Sequence, residues 1–240
     1  MKFLKLITTA SVCALSALPL CTTKASADGL FRPDTFKVTF YQIGFRDSTT
    51  GTLNPVLNSS SGVEADLSNA GSSLSLASSQ TPSEGNWDQV YALINNSIKV
   101  SGTDGNGCFI KNGASAIADD GTAIVTTNSS ESGEGTTTSM FYDGAGDFGP
   151  YSPDIASSVN GSAVTDLKEY LVSDSNPTPN GGGTINRFLY VGNITPITIS
   201  DGSSGTIIYT IDTSEAGAMH DNCSKYSFGN LSFNMSVTQN

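Results

Sequence analysis

The chain holds one histidine, His220, and three residues later stands Cys223, within the stretch AMHDNCSKY. A histidine and a cysteine at this H-x-x-C spacing are half of a zinc site. A histidine beside a hydroxyl nucleophile is the core of acyl-transfer catalysis. Both chemistries need partners. Zinc takes three or four His, Cys or carboxylate ligands, and Cys108, the candidate for a second pair, has no histidine or cysteine near it. For nucleophilic catalysis His220 is the sole base. No G-x-S-x-G turn occurs, and serine is concentrated in loop-like runs such as Asn58-Ser59-Ser60-Ser61. The sequence therefore offers no complete catalytic or metal constellation. No catalytic residue, metal ligand or cofactor is expected, and His220 reads as a bystander in a loop.

Two weaker constellations remain. Oxygen-rich turns recur at Asp119-Asp120-Gly121, at Asp143-Gly144-Ala145-Gly146-Asp147 and at Asp201-Gly202. Calcium takes six to eight oxygens from such flexible loops, but Asp-Gly pairs also suit tight turns on their own account. The Asp143/Asp147 loop is the best calcium candidate, short of a commitment to a metal. Acids are plentiful enough for a paired-carboxylate hydrolase, yet spacing places no pair together. Sugar-stacking aromatics are scarce, and Trp87 and Tyr91 are the residues to test for carbohydrate binding. The competing reading places both in the core.

The compartment decides how the cysteines are read. The N-terminus has Lys2 and Lys5, an apolar run over 7–20 too short for a comfortable membrane span, and Ala25-Ser26-Ala27, an A-x-A cleavage signal. This predicts a cleaved secretory signal over 1–27 and a mature chain of 213 residues, 28–240. Lipid attachment at Cys21 is disfavoured, because Leu20 stands where a small residue is needed. Cys13 and Cys21 leave with the signal. In an oxidising compartment the remaining two, Cys108 and Cys223, are expected to form one disulfide. The mature segment keeps all 22 acids and loses three of the 11 Lys and Arg residues, for a net charge of −14. Such a surface repels nucleic acid and anionic headgroups. Eight Asn-x-Ser/Thr sequons, Asn58 among them, are read as chance products of an asparagine-rich composition.

The elements that must position these residues are strands. Ser, Thr, Asn and Gly dominate, and charged residues are few. The run FKVTFYQIGFR, 36–46, reads as a central strand covered on both faces. Strict alternation would send Phe36, Val38 and Phe40 one way and Tyr41, Ile43 and Phe45 the other. Residues 90–100 read as one long or bulged strand. Asp104-Gly105-Asn106-Gly107 reads as a hairpin turn, with the return at 108–111. The segment 163–172, AVTDLKEYLV, is the best helix candidate: Val164, Leu167, Lys168 and Leu171 share one helical face and Ser162 can cap it. Further strands are expected at 184–191, 197–200, 206–212 and 231–238, the last with Leu231, Phe233, Met235 and Val237 toward a core. Helices do not alternate with strands, so a parallel α/β sheet is excluded. The expected fold is all-β: a single-domain antiparallel β-sandwich of about 8–10 strands with one short helix.

On this reading the protein is secreted, periplasmic or on the cell surface, with no transmembrane segment after signal cleavage. It is a non-enzymatic surface, matrix or binding component. Its partners are not named by the sequence: nucleic acid is excluded, and carbohydrate or another envelope component is the alternative. A secreted carboxylate hydrolase is the rival from another class.

Overall fold

The computed structural model describes residues 29–68, 73–74, 82–117, 124–138, 147–150, 157–174, 183–201, 205–220 and 223–239. The expected cleaved leader, the Asp119-Asp120 turn and Asp143 lie outside them. The described chain forms 17 strand segments and, in place of any α-helix, a 3-10 turn at Ser129–Glu131 capped by the Asn128 side chain.

Two sheets pack face to face. The smaller is built on a long hairpin, β16 (Gly205–His220) and β17 (Lys225–Gln239), paired from Gly205↔Gln239 to His220↔Lys225. The strands β1 (Gly29–Phe31) and β4 (Ser73–Leu74) lie along β16, and β12 (Ser158–Val159) with β13 (Ser162–Ala163) continues beyond β17. The larger sheet centres on β2 (Thr35–Arg46). On one side of it runs β3 (Leu53–Asp66); on the other run β5 (Gly85–Asn95) and β6 (Ser97–Ser101), two halves of one strand broken at Asn96. Beyond β5 come β15 (Ile185–Ile199), β14 (Thr165–Ser173) and β11 (Asp147–Pro150). A two-stranded pair, β7 (Phe109–Ile110) with β9 (Val125–Thr126), stands apart. Beyond β6 run β10 (Gly135–Thr138) and β8 (Ser115–Ile117).

The antiparallel sandwich is thus the observed architecture, and the main core gathers side chains from Phe31 to Met235. One expectation fails outright. Residues 165–173 are a strand laid antiparallel against β15, where a helix was expected. The segment carries both periods. Leu167, Glu169 and Leu171 alternate with Lys168, Tyr170 and Val172, and pairing to β15 and β11 satisfies the backbone while burying Leu171 and Val172. The hairpin expected to return at 108–111 is diverted. The turn closes with Asp104 N–H on the Cys108 carbonyl, but β7 then ladders with β9, leaving a single bridge at Thr103↔Phe109 toward the incoming chain.

Strand β2 departs from strict alternation for a physical reason. Its pairing slips at Tyr41, between Phe40 and Gln42, against both β3 and β5. Such a bulge inserts one residue and resets the faces. Phe36, Val38, Phe40, Ile43 and Phe45 therefore all enter the inter-sheet core, while Tyr41 turns to the outer face. There it packs beside a second cluster: Tyr91, Leu93, Val172, Leu189 and Val191. The larger sheet is thus covered on both faces at its centre, as the sequence of β2 and β5 implies.

The hairpin of the smaller sheet carries a bulge of its own between Asp212 and Glu215. Thr213 points inward there and donates its hydroxyl to the Leu67 carbonyl at 2.7 Å. The Asp212 carboxylate accepts from the Ser214 N–H, which holds its pKa below the usual carboxylate range. Phe31 lies opposite Gly217, its ring so close that a Cβ on Gly217 would stand 2.6 Å from it. The glycine is what lets the ring cross the strand and meet Tyr226 edge-on.

Candidate functional site

Cys108 and Cys223 form the disulfide, with Cα atoms 5.2 Å apart across 115 residues of sequence. It ties the turn before β7 to the turn between β16 and β17. His220 is half-buried at the end of β16, inside the ladder where a loop was expected, and its Nε2 meets the Ser227 hydroxyl of β17. The two strands thus bring together a histidine and a serine that the sequence reading did not pair. Neither lines the groove or the cavity described below. Among the described residues no cluster of three or more His, Cys, Asp or Glu is placed to hold a metal.

The aromatic residues singled out for sugar stacking are buried. Trp87 is 7% exposed, sits in the main core and donates its indole N–H to the Ser83 carbonyl at 3.3 Å. Tyr91 is 2% exposed on the other face of the sheet. Neither offers a ring to a ligand.

Tyr91 instead supports a groove that runs over the outer face of the larger sheet. Burial pushes the Tyr91 phenol up, so it stays protonated and donates to Gln42 Oε1 at 3.2 Å. Gln42 Nε2 in turn donates to Asn58 Oδ1, also at 3.2 Å. This chain of bonds orients both amides along one wall, where Ser59 and Ser60 of β3 continue the row of polar groups. The Leu93 side chain forms part of the floor. On the far wall stands Arg187 of β15, whose guanidinium carbon lies 3.7 Å from the centre of the Tyr41 ring. That stacking exists because the bulge at residue 41 turns the tyrosine outward, and β5 separates the two strands by one strand's width. Arg187 is only 12% exposed. It donates to the Asn186 carbonyl at 2.9 Å and stands 3.9 Å from the Asp174 carboxylate. Asn186 also accepts from the Asp174 N–H at 3.0 Å, fixing that carboxylate at the rim. The groove encloses about 450 Å³, a size usual for small-molecule clefts.

Sequence reasoning missed Arg187, Gln42 and Asp174. The usable signal was Arg187 itself: a lone cation just before the apolar run 188–191 in a chain poor in basic residues, which must either leave the sheet or be held there. The polar wall had no signal, because it depends on a bulge and on a serine run that reads as loop.

A second hollow lies between the sheets. It encloses about 80 Å³ and is lined almost wholly by carbon, with Phe36, Phe40, Ala92 and Ile94 on one side and Tyr209 and Phe233 on the other. The last two rings stack, 5.2 Å apart. Near it stands Glu169 of β14, whose Oε1 accepts a hydrogen bond from the Tyr190 hydroxyl at 3.0 Å. Burial pushes the Glu169 carboxyl up to about 7, against the smaller opposing effect of that hydrogen bond.

No protein-family model matches the chain, and neither a curated protein nor a solved structure matches it. The class of protein is therefore set by fold and site alone: a disulfide-stapled, two-sheet antiparallel sandwich carrying a polar groove on one outer face. No helix among the described residues is long and apolar enough to cross a membrane.

Proposed function

We propose that this chain is a secreted, non-enzymatic binding component of the cell surface or extracellular matrix, and that its groove holds a neutral saccharide. The observation that carries the reading is the groove's lining. Donors and acceptors alternate within it: the Arg187 guanidinium, the Asn58 and Gln42 amides, two serine hydroxyls and the Asp174 carboxylate. Sugar hydroxyls both donate and accept, so they match such a lining group by group, while Leu93 meets the apolar face of a ring. Asp174 at the rim disfavours an acidic sugar, as does the net charge of the whole. Among the described residues that line the groove Asp174 is the one carboxylate, whereas glycoside hydrolysis uses two. Export is supported by the leader sequence and by a disulfide that needs an oxidising compartment to persist.

The test is a glycan array probed with the purified protein, followed by calorimetry on the best binder. Neutral glycans are expected to bind. Arg187→Ala should weaken the best of them at least tenfold, the loss typical of a central polar anchor. Asn58→Ala, an exposed change with little effect on folding, should weaken it in the same direction. Binding confined to uronic or sulfated glycans would overturn the saccharide assignment, and so would variants that bind as the parent does.

A further inference from the structure

The hollow between the sheets has a chemistry of its own, on the face of the larger sheet opposite the groove. Its lining is apolar apart from the phenols of Tyr190 and Tyr209 and the Ser232 hydroxyl. The lining residues that remain partly exposed are Leu167, Tyr190, Ser232 and Phe233, so the hollow opens between β14 and β17. Glu169 does not itself line the hollow but stands beside the opening, bonded to a residue that does. It lies two residues along β14 from Leu167, on the same face, and its described partner is the hydroxyl of Tyr190, whose ring lines the hollow. A half-buried carboxylate with no cation among its described partners is a strong acceptor for a positive charge brought from solution.

We propose that this cavity takes the alkyl tail of a small primary amine, whose ammonium group is held by the Glu169 carboxylate at the opening. Three observations point to this ligand. The walls reward carbon and leave polar atoms without partners. Among the described residues the ionisable group placed at the mouth is an acid, and the chain as a whole attracts cations. The volume, about 80 Å³, is roughly half of the 150 Å³ of a dry protein cavity that admits benzene, so the space suits a short linear tail better than an aromatic ring. The proposal is independent of the saccharide groove: Ala92 faces the cavity while its neighbour Leu93 faces the groove.

The probe is n-butylamine, titrated into isotopically labelled full chain at pH 8 and followed by nuclear magnetic resonance, with butan-1-ol, butyrate and benzylamine as comparisons. Butylamine is expected to bind in the millimolar range and to shift resonances of Ala92, Ile94 and Phe233. Butan-1-ol and butyrate should bind at least tenfold more weakly, and benzylamine should leave those resonances unmoved. Glu169→Gln should remove the preference for the amine over the alcohol, while Glu169→Asp, which keeps the charge, should retain part of it. Ala92→Leu should fill the space and abolish binding of butylamine without affecting glycan binding. Equal binding of butyrate and butylamine, an unchanged Glu169→Gln variant, or shifts that avoid the cavity would each overturn the proposal.

Discussion

Glu169 makes a stability prediction that does not depend on any ligand. Its carboxyl titrates at about 7 in the folded chain, against about 4.5 when solvated, because burial disfavours the anion. Between these two values the folded state holds a proton that the unfolded state has lost. Stability is therefore complete below about pH 4.5 and declines as the pH rises through 7. A shift of this size corresponds to at most roughly 3 kcal/mol, and solvent at the open side of the carboxyl brings the expected figure to about 1–2 kcal/mol. Glu169→Gln keeps an acceptor for the Tyr190 hydroxyl and cannot ionise. Its stability relative to the parent should thus rise with pH and level off above pH 8. For a chain of this length that is a difference of roughly 2–8 °C in Tm. The other shifted acids do not imitate the effect. Asp88 is held below the usual range by the Ser48 hydroxyl and Asp212 by the Ser214 N–H, so their contributions are lost only on acidification below about pH 4. The assay is thermal and urea unfolding of both proteins at pH 4.5, 6 and 8. Unfolding curves that stay parallel for parent and variant across this range would refute the reasoning.

Three further outcomes follow from the geometry. Replacing Cys108 and Cys223 together by alanine should cost on the order of 4–5 kcal/mol, the chain-entropy figure for so long a loop, read as a fall in urea midpoint with a steeper slope, because the freed unfolded chain exposes more surface. Gly217→Ala drives a methyl into the Phe31 ring and should cost about 1–3 kcal/mol by calorimetry; a neutral result would show that the ring is free to move aside. His220→Ala and Ser227→Ala should leave glycan binding unchanged, and the parent should release no nitrophenol from nitrophenyl acetate above the rate of His220→Ala; a His220-dependent burst would reveal an active dyad.

The strands that could be read from sequence are those whose pattern is decided by burial. The alternation of Phe233, Met235 and Val237 gave β17 its face, and the two-sided apolar run of 36–46 gave β2 its central place. The disulfide needed only the count of two cysteines and the leader. The helix expected at 163–172 failed because ten residues with both periods do not choose between them; the neighbouring strand does, by offering a ladder. The serine-rich residues 58–66 were legible only as polar, yet they form the second half of β3 because β2 supplies their hydrogen bonds. The groove was hidden for a related reason. One inserted residue at Tyr41 reverses the faces of half a strand and sets that ring under Arg187, and no local pattern announces a bulge. Trp87 and Tyr91 were singled out as aromatic types, whereas their positions between two packed faces decided their burial.

A saccharide held in the groove must perturb the residues that line it. The decisive measurement is a chemical-shift map recorded while the tightest neutral oligosaccharide from an array is titrated into labelled protein. Shifts centred on Tyr41, Gln42, Asn58, Leu93 and Arg187, with the Cys108 and His220 regions silent, are the predicted result. Shifts centred elsewhere, or a protein that binds no neutral glycan at all, would contradict it.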